Sequence, residues 1–361
     1  MPTDLCIQNS VSLKECTSFE LGGEARYFAE IYEEKALEDA ILWADENEQQ
    51  LTILGGGSNV LIADEGLEGL VCRISSLGMQ KKSMPFGQRW TIAAGESWDR
   101  VVAASVEANL AGIECLSGIP GSCGAAPIQN IGAYGQEIAE ALHSVRVFDR
   151  QTRSFQNLHS AALDFGYRNS RLKKEPNRWI VMAIDLDLRA DGPVTLRYPD
   201  LEKYIRTLGP PSLQNCRAAV LALRQQKSMI LDPADENRRS AGSFFLNPIL
   251  TKDQVETLTA SLRANGLLPA AETLPSFPTP DGQLKVPAAW LIETSGFHRG
   301  QRSGQVGLSS QHTLALVHHG GGTSQEMVAF ARSIQQKVRQ KFGVSLEAEP
   351  VLLGFSDNPL A

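Results

Sequence analysis

Residues 117–135 read SGIPGSCGAAPIQNIGAYG. Glycines at 118, 121, 124, 132 and 135 are interleaved with prolines at 120 and 127. Proline fixes φ and glycine frees it, so the segment codes for one specified loop path. Ile119, Ile128 and Ile131 give it apolar points of attachment. A plain turn needs about four residues. This much longer stretch reads as a loop wrapped around a ligand, because glycine lets backbone amides approach phosphate oxygens with no Cβ in the way.

A second glycine cluster lies upstream. The apolar LTIL (51–54) runs into Gly55, Gly56, Gly57, Ser58 and Asn59, then into the apolar NVLIAD (59–64). A Rossmann fingerprint would need G-x-G-x-x-G opening a helix, with an acidic residue about 20 positions on. A Walker A loop would need G-K-[ST]. Here the chain re-enters a strand and no lysine follows, so both are excluded. Two cradles of this kind predict a diphosphate ligand held by backbone amides on a different fold.

The bulk numbers suit a soluble globular protein. The 361 residues suffice for two or three packed units. The 34 basic and 41 acidic residues leave a formal charge of −7. No long basic run or spanning apolar stretch occurs, so neither nucleic acid nor a membrane is an expected partner. The start, MPTDLCIQNS, lacks the basic and apolar regions of a secretory signal, which predicts a cytoplasmic location. Cys6, Cys16, Cys72, Cys115, Cys123 and Cys216 form no C-x-x-C pair, so no zinc site or disulfide framework is predicted. His318 and His319 are adjacent; in a strand their side chains point to opposite faces, so no metal is assigned.

Periodicity predicts helices over 33–47, 98–110, 213–226, a short one in AAWLIETSGF (288–297), and one over 324–342 stopped by Gly343. Thr251 and Gln254 predict a capping box opening another. Strands are expected over 90–95, 143–150 and 178–190, and the chain is expected to end in a strand, SLEAEPVLLGF (345–355). LLPAAETLPSFPTPDG (267–282) reads as a surface excursion. A boundary is expected near 215–230.

Taken with TSFELGGEARYF (17–28), YRNS (167–170), AGSFFLNP (241–248), KVPAAWLIE (285–293) and FGVSLEAEP (342–350), the two glycine segments closely resemble the bacterial UDP-N-acetylenolpyruvoylglucosamine reductase family. Several motifs in the right order over nearly the whole chain carry the resemblance. It implies an α+β, FAD-binding fold of the vanillyl-alcohol-oxidase type: two subdomains, 1–75 and 76–220, and a substrate-binding domain, 221–361. It also implies NADPH-dependent reduction, through FAD, of an enolpyruvyl UDP-sugar to UDP-N-acetylmuramate in peptidoglycan synthesis. Non-covalent FAD and a monomer are expected.

The resemblance also assigns residues. The FAD cradles are residues 55–59 named above and Gly118, Pro120, Gly121, Ser122, Gly124, Ala125, Gln129, Asn130, Gly132, Ala133, Tyr134 and Gly135. The catalytic set is Arg168, Ser243 and Glu349, and Tyr198, Lys227 and Asn247 bind the substrate. Glu349 fits the family's E-x-x-x-x-G by its distance to Gly354; Glu347 is the neighbouring competitor. Where the family has valine and then a basic residue after the glutamate, this chain has Pro350 and Val351.

The chemistry asks for these residue types. Hydride addition to an enolpyruvyl C=C puts charge on the carbon next to a carboxylate. A flavin supplies the hydride, since no side chain can. A guanidinium suits the developing enolate. An acid must protonate the α carbon. By itself Ser243 reads as a buried hydroxyl bonded to backbone; it lacks the G-x-S-x-G of a hydrolase nucleophile. A sugar or alcohol oxidase of the same fold, or a flavin-binding module without catalysis, is the rival reading.

Overall fold

The computed structural model describes residues 5–279 and 281–361. Residues 1–4 of the segment read for a signal peptide, and Pro280 of the proline-rich excursion, lie outside the described residues. The chain divides into two compact units. The first takes residues up to Val11, Ala25–Ser58 and Leu67–Leu231; the second takes Ser12–Glu24, Asn59–Gly66 and Asp232–Ala361.

The first unit holds two sheets. One has the order Ile7–Ser12, Glu24–Ile31, Leu67–Ile74, Leu51–Leu54, with the last three strands mutually parallel. Helix α1 (Glu34–Glu46) makes the crossover, burying Ala36, Leu37, Ala40, Ile41 and Ala44 at helical spacing. The other sheet is antiparallel, in the order Ser154–His159, Leu142–Asp149, Trp179–Ala190, Gly87–Ala93, Met79–Met84. Its central strand alternates: Met182, Ile184, Leu186 and Leu188 are buried. The intervening Asp185 and Asp187 take Thr91, Ser144 and Arg89 on the other face. Helix α2 (Trp98–Glu107) buries Trp98, Val101 and Val102. A single-turn α3 (Arg171–Lys174) is capped by Ser170. Then come α4 (Pro199–Leu208) and α5 (Leu213–Gln225).

Helix α4 has no counterpart in the sequence reading. Its first turn is Pro199-Asp200-Leu201-Glu202, and proline at the first position costs no hydrogen bond. Leu201 and Ile205 are buried four residues apart with Tyr204 packed beside them, so helical spacing is present in the sequence, although over only ten residues.

The second unit packs α6 (Lys252–Ala264), α7 (Ala288–Ser295) and α8 (Ser324–Phe342) with short strands. The Thr251–Gln254 capping box is present, and Gly343 ends α8 in the left-handed conformation. Asp64 accepts the amides of Ser324 (2.8 Å) and Gln325 (2.9 Å), so the 59–66 segment caps α8. The terminal strand is shorter than the sequence suggested. Its ladder covers Val351–Leu353, in parallel with Val60–Ile62, and Ala348 makes a single antiparallel bridge to Phe245. Pro350 has no N–H and marks a change of partner. Before it, Glu349 N–H donates to Phe244 O (2.9 Å); after it, Val351 N–H donates to Asn59 O (3.0 Å).

Candidate active site

The two glycine segments meet in the first unit. Gly56 N–H donates to Ser122 Oγ (3.2 Å), and Ser58 Oγ donates to Pro120 O (3.2 Å). A Cβ on Gly56 would lie 2.9 Å from both Gly121 Cα and Ser122 N. The loops therefore touch backbone to backbone, which only glycine permits. Among the described residues, the amides of Gly57, Gly121 and Ser122 make no hydrogen bond, although Gly57 and Ser122 are buried. Buried amides without a partner are rare, so an acceptor from outside the chain is called for.

The second loop is held from behind by residues the sequence reading missed. Gly118 N–H donates to Asp99 Oδ1 (2.6 Å), and Arg217 donates to both Asp99 oxygens (2.6 and 2.8 Å). Burial works to raise the Asp99 carboxyl, but Arg217 and the Gly118 amide outweigh it and hold it below the usual range. Arg224 lies beside Gly118; its Nη2 donates to Met229 O (2.6 Å), and burial lowers its pKa to about 10. The linkage between 99, 118 and 217 has no local signal, because those residues lie on separate elements.

Gly124 packs on Ala94, where a Cβ would approach to 2.6 Å, and its amide donates to Ala94 O. The Asn130 side chain donates to Glu137 and Gly166 O and accepts the Ala139 amide, so it shapes the loop. Gly132–Ala133 pairs with Gln136–Glu137 around Tyr134 and Gly135, both left-handed. Pro120 sits against Ser58 by its carbonyl, Ala125 N–H donates to Ser122 O, and Gln129 is half-buried.

Arg168 joins this loop. Its guanidinium donates to Gly132 O (2.7 Å) and Asn130 O (3.4 Å), and the residue itself is left-handed. Tyr198 lies edge-on to Tyr134 with centroids 5.5 Å apart. Lys227 is half-buried in the turn after α5. The structure thus brings Arg168 and Tyr198 to one glycine loop.

In the second unit, Ser243 and Glu349 come from segments over 100 residues apart. Ser243 bridges Ala315, Phe244 N–H donates to Leu314 O (2.8 Å), and the Glu349 amide donates to Phe244 O. Asn59 Nδ2 donates to Glu349 O (3.2 Å). Glu349 is half-buried, whereas Glu347 is exposed. Asn247 accepts the Ala288 amide at the start of α7 (2.9 Å). His318 is buried and spent on structure: Nδ1 bonds Phe19 O, and Nε2 accepts the Gly322 amide.

A family model described as "FAD binding domain" matches residues 25–153, which contain both glycine cradles. A model described as "UDP-N-acetylenolpyruvoylglucosamine reductase, C-terminal domain" matches residues 232–353, which contain Ser243, Asn247 and Glu349. The chain is 41% identical to the UDP-N-acetylenolpyruvoylglucosamine reductase of Streptomyces avermitilis, over 95% of this chain and 93% of that one. It is 40% identical to the reductase of Nocardia farcinica, over 98% and 91%. The chain belongs to the UDP-N-acetylenolpyruvoylglucosamine reductase family. Among solved structures, the Thermus caldophilus reductase has the same fold, with a TM-score of 0.65, 24% identity and coverage of 97% of this chain and 99% of that one.

FAD fits the reductase cradle on the chain's own evidence. Two glycine loops in backbone contact leave the amides of Gly57, Gly121 and Ser122 without a partner among the described residues, and their charge suits a diphosphate. Cys123, inside the second loop, is fully buried, and burial pushes its thiol up, so it stays protonated and is a poor nucleophile toward a flavin.

Proposed function

We propose that this chain reduces UDP-N-acetyl-3-O-(1-carboxyvinyl)glucosamine to UDP-N-acetylmuramate in peptidoglycan synthesis, with NADPH as reductant. The observation that carries the reading is the near-full-length relationship to the reductase family. FAD, held by the two glycine loops, would supply the hydride chemistry that links NADPH to the enolpyruvyl group. The protein works as a cytoplasmic monomer in this reading. In the same reading, residues 1–75 and 76–220 are the two FAD-binding subdomains and 221–361 cover the substrate.

The chain's own residues hold substrate and move a proton. Arg168 holds the enolpyruvyl carboxylate and its enolate form; the two carbonyl bonds fix the plane of its guanidinium. Ser243 delivers the proton to the α carbon. Phe244 and Phe245, both fully buried, exclude water on its C-terminal side. Glu349, rather than the exposed Glu347, completes the set, since its amide bonds the residue following Ser243. Tyr198, Lys227 and Asn247 grip the UDP diphosphate.

The test is spectroscopic. The purified protein is expected to be yellow, to bleach with NADPH, and to recover its flavin absorbance when the enolpyruvyl UDP-sugar is added without oxygen. Acid precipitation should leave FAD in the supernatant. Recovery by oxygen alone, with none from the sugar, would overturn the reading in favour of an oxidase. Flavin in the pellet would overturn non-covalent binding and point to Cys123.

Arg168→Lys is expected to keep FAD and NADPH bleaching while slowing sugar-driven recovery about tenfold, because lysine keeps the charge without the two-pronged donor. Wild-type recovery in stopped-flow would remove Arg168 from the carboxylate.

A further inference from the structure

The segment TSFELGG (17–23) has no role in the chemistry above. Yet it is bound to the chain that delivers Ser243. Phe19 is fully buried and meets Phe244 edge-on, with centroids 6.2 Å apart. Phe19 O accepts a hydrogen bond from His318 Nδ1 (3.0 Å). The Gly322 amide donates to His318 Nε2, so the hydrogen-bond pattern assigns a neutral ring with its proton on Nδ1. His318 N–H in turn donates to Arg239 O (3.0 Å).

Glu20 closes the circuit. Arg238 Nη1 donates to one carboxylate oxygen and Arg239 Nε to the other. Glu20 is left-handed, at φ 53°, a conformation uncommon for a residue with a Cβ. Burial works to raise its carboxyl, but the two guanidinium groups prevail and hold it below the usual range. Arg239 is therefore anchored by both main chain and side chain. Only Ser240, Ala241 and Gly242 separate it from Ser243. Gly242 is left-handed, at φ 71°, and Ser240 Oγ accepts its amide. Beyond Ser243, the main chain is pinned at Phe244 to Leu314 and Glu349. Without the Glu20 carboxylate, two adjacent guanidinium groups repel each other and the N-terminal anchor loosens. The C-terminal anchor remains.

We infer that Glu20 is a positioning residue for the proton donor: by holding Arg238 and Arg239 together it fixes the main chain on which Ser243 is presented. The inference rests on the reading of Ser243 as the acid. Misplacing a reacting group by about 1 Å can cost ~10²-fold.

The experiment measures both half-reactions of the holoenzyme by anaerobic stopped-flow. Glu20→Gln is expected to slow sugar-driven recovery of flavin absorbance by about ten- to a hundredfold. FAD content, NADPH bleaching and KM for the sugar should stay at wild-type values. Glu20→Asp, which keeps the charge, should restore part of the rate. Residues acting as a unit are non-additive, so Glu20→Gln/Ser243→Ala should be no slower than Ser243→Ala alone. A double variant slower by the full Glu20→Gln factor would overturn the inference. So would wild-type recovery in Glu20→Gln, or loss of FAD and of both half-reactions together. Should Glu20→Gln fail to fold, Phe19→Leu loosens the same segment and is read against the same outcomes. Unslowed recovery in Ser243→Ala overturns the reading of Ser243 itself, and this inference with it. Slowed recovery there, with wild-type recovery in Glu20→Gln, overturns the inference alone.

Discussion

In a Ser243→Ala enzyme, recovery of flavin absorbance by the enolpyruvyl sugar is expected to fall ~10²–10⁴-fold, the range of a lost general acid. Bleaching by NADPH is expected to stay near normal, since that half-reaction needs no proton from Ser243. The substitution removes one oxygen from a half-buried residue whose main chain is held by Leu314 and Ala315, so fold and FAD content should persist. Ser243→Cys keeps a proton to give and should recover part of the rate. The two half-reactions are followed separately by anaerobic stopped-flow at the flavin band. If alanine recovers within about tenfold of wild type, below the general-acid range, the hydroxyl is structural and the acid lies elsewhere.

Gly56→Ala should strike the cofactor instead. The new Cβ would sit 2.9 Å from Gly121 Cα and Ser122 N, and backbone cannot rotate away. Overpacking of this kind costs about 1–3 kcal/mol. Much of that separation would fall on the two-loop cradle, so FAD affinity is expected to drop by on the order of tenfold to a hundredfold. Gly55→Ala is the graded control. Its Cβ would meet the Ser122 hydroxyl at 2.9 Å, a group that can turn aside, so the loss should be smaller. Titration of the apoprotein with FAD, followed by quenching of flavin fluorescence, measures both. Near-wild-type affinity in Gly56→Ala would show that the loop contact does not govern FAD binding.

Local signals carried far into this fold. The glycine and proline spacing of 117–135 announced a shaped, ligand-wrapping loop, and the 55–59 cluster announced a second one; their backbone contact requires the glycine at 56. Helices α1, α6 and α8 were legible because burial at helical spacing, a capping box and a C-terminal glycine are all encoded within a few residues. Helix α4 carries the same kind of spacing in Leu201, Tyr204 and Ile205 and a proline at its start, but over only ten residues, and the sequence reading passed it over.

By itself, the amino-acid sequence determined where glycine lets two backbones touch; the roles expected of Arg168 and Ser243 came only with the family resemblance. Its motif order also pointed to the family. Only the tertiary structure decided that the amide of Glu349 bonds the residue after Ser243, that Asp99 and Arg217 hold Gly118, and that Glu20 takes both Arg238 and Arg239. Each of these is a hydrogen bond or ion pair between residues 19 to 219 positions apart. Such pairings leave no periodicity in the chain. They depend on where the packing of separate elements brings donors and acceptors within about 3 Å, and that distance is set by the whole fold.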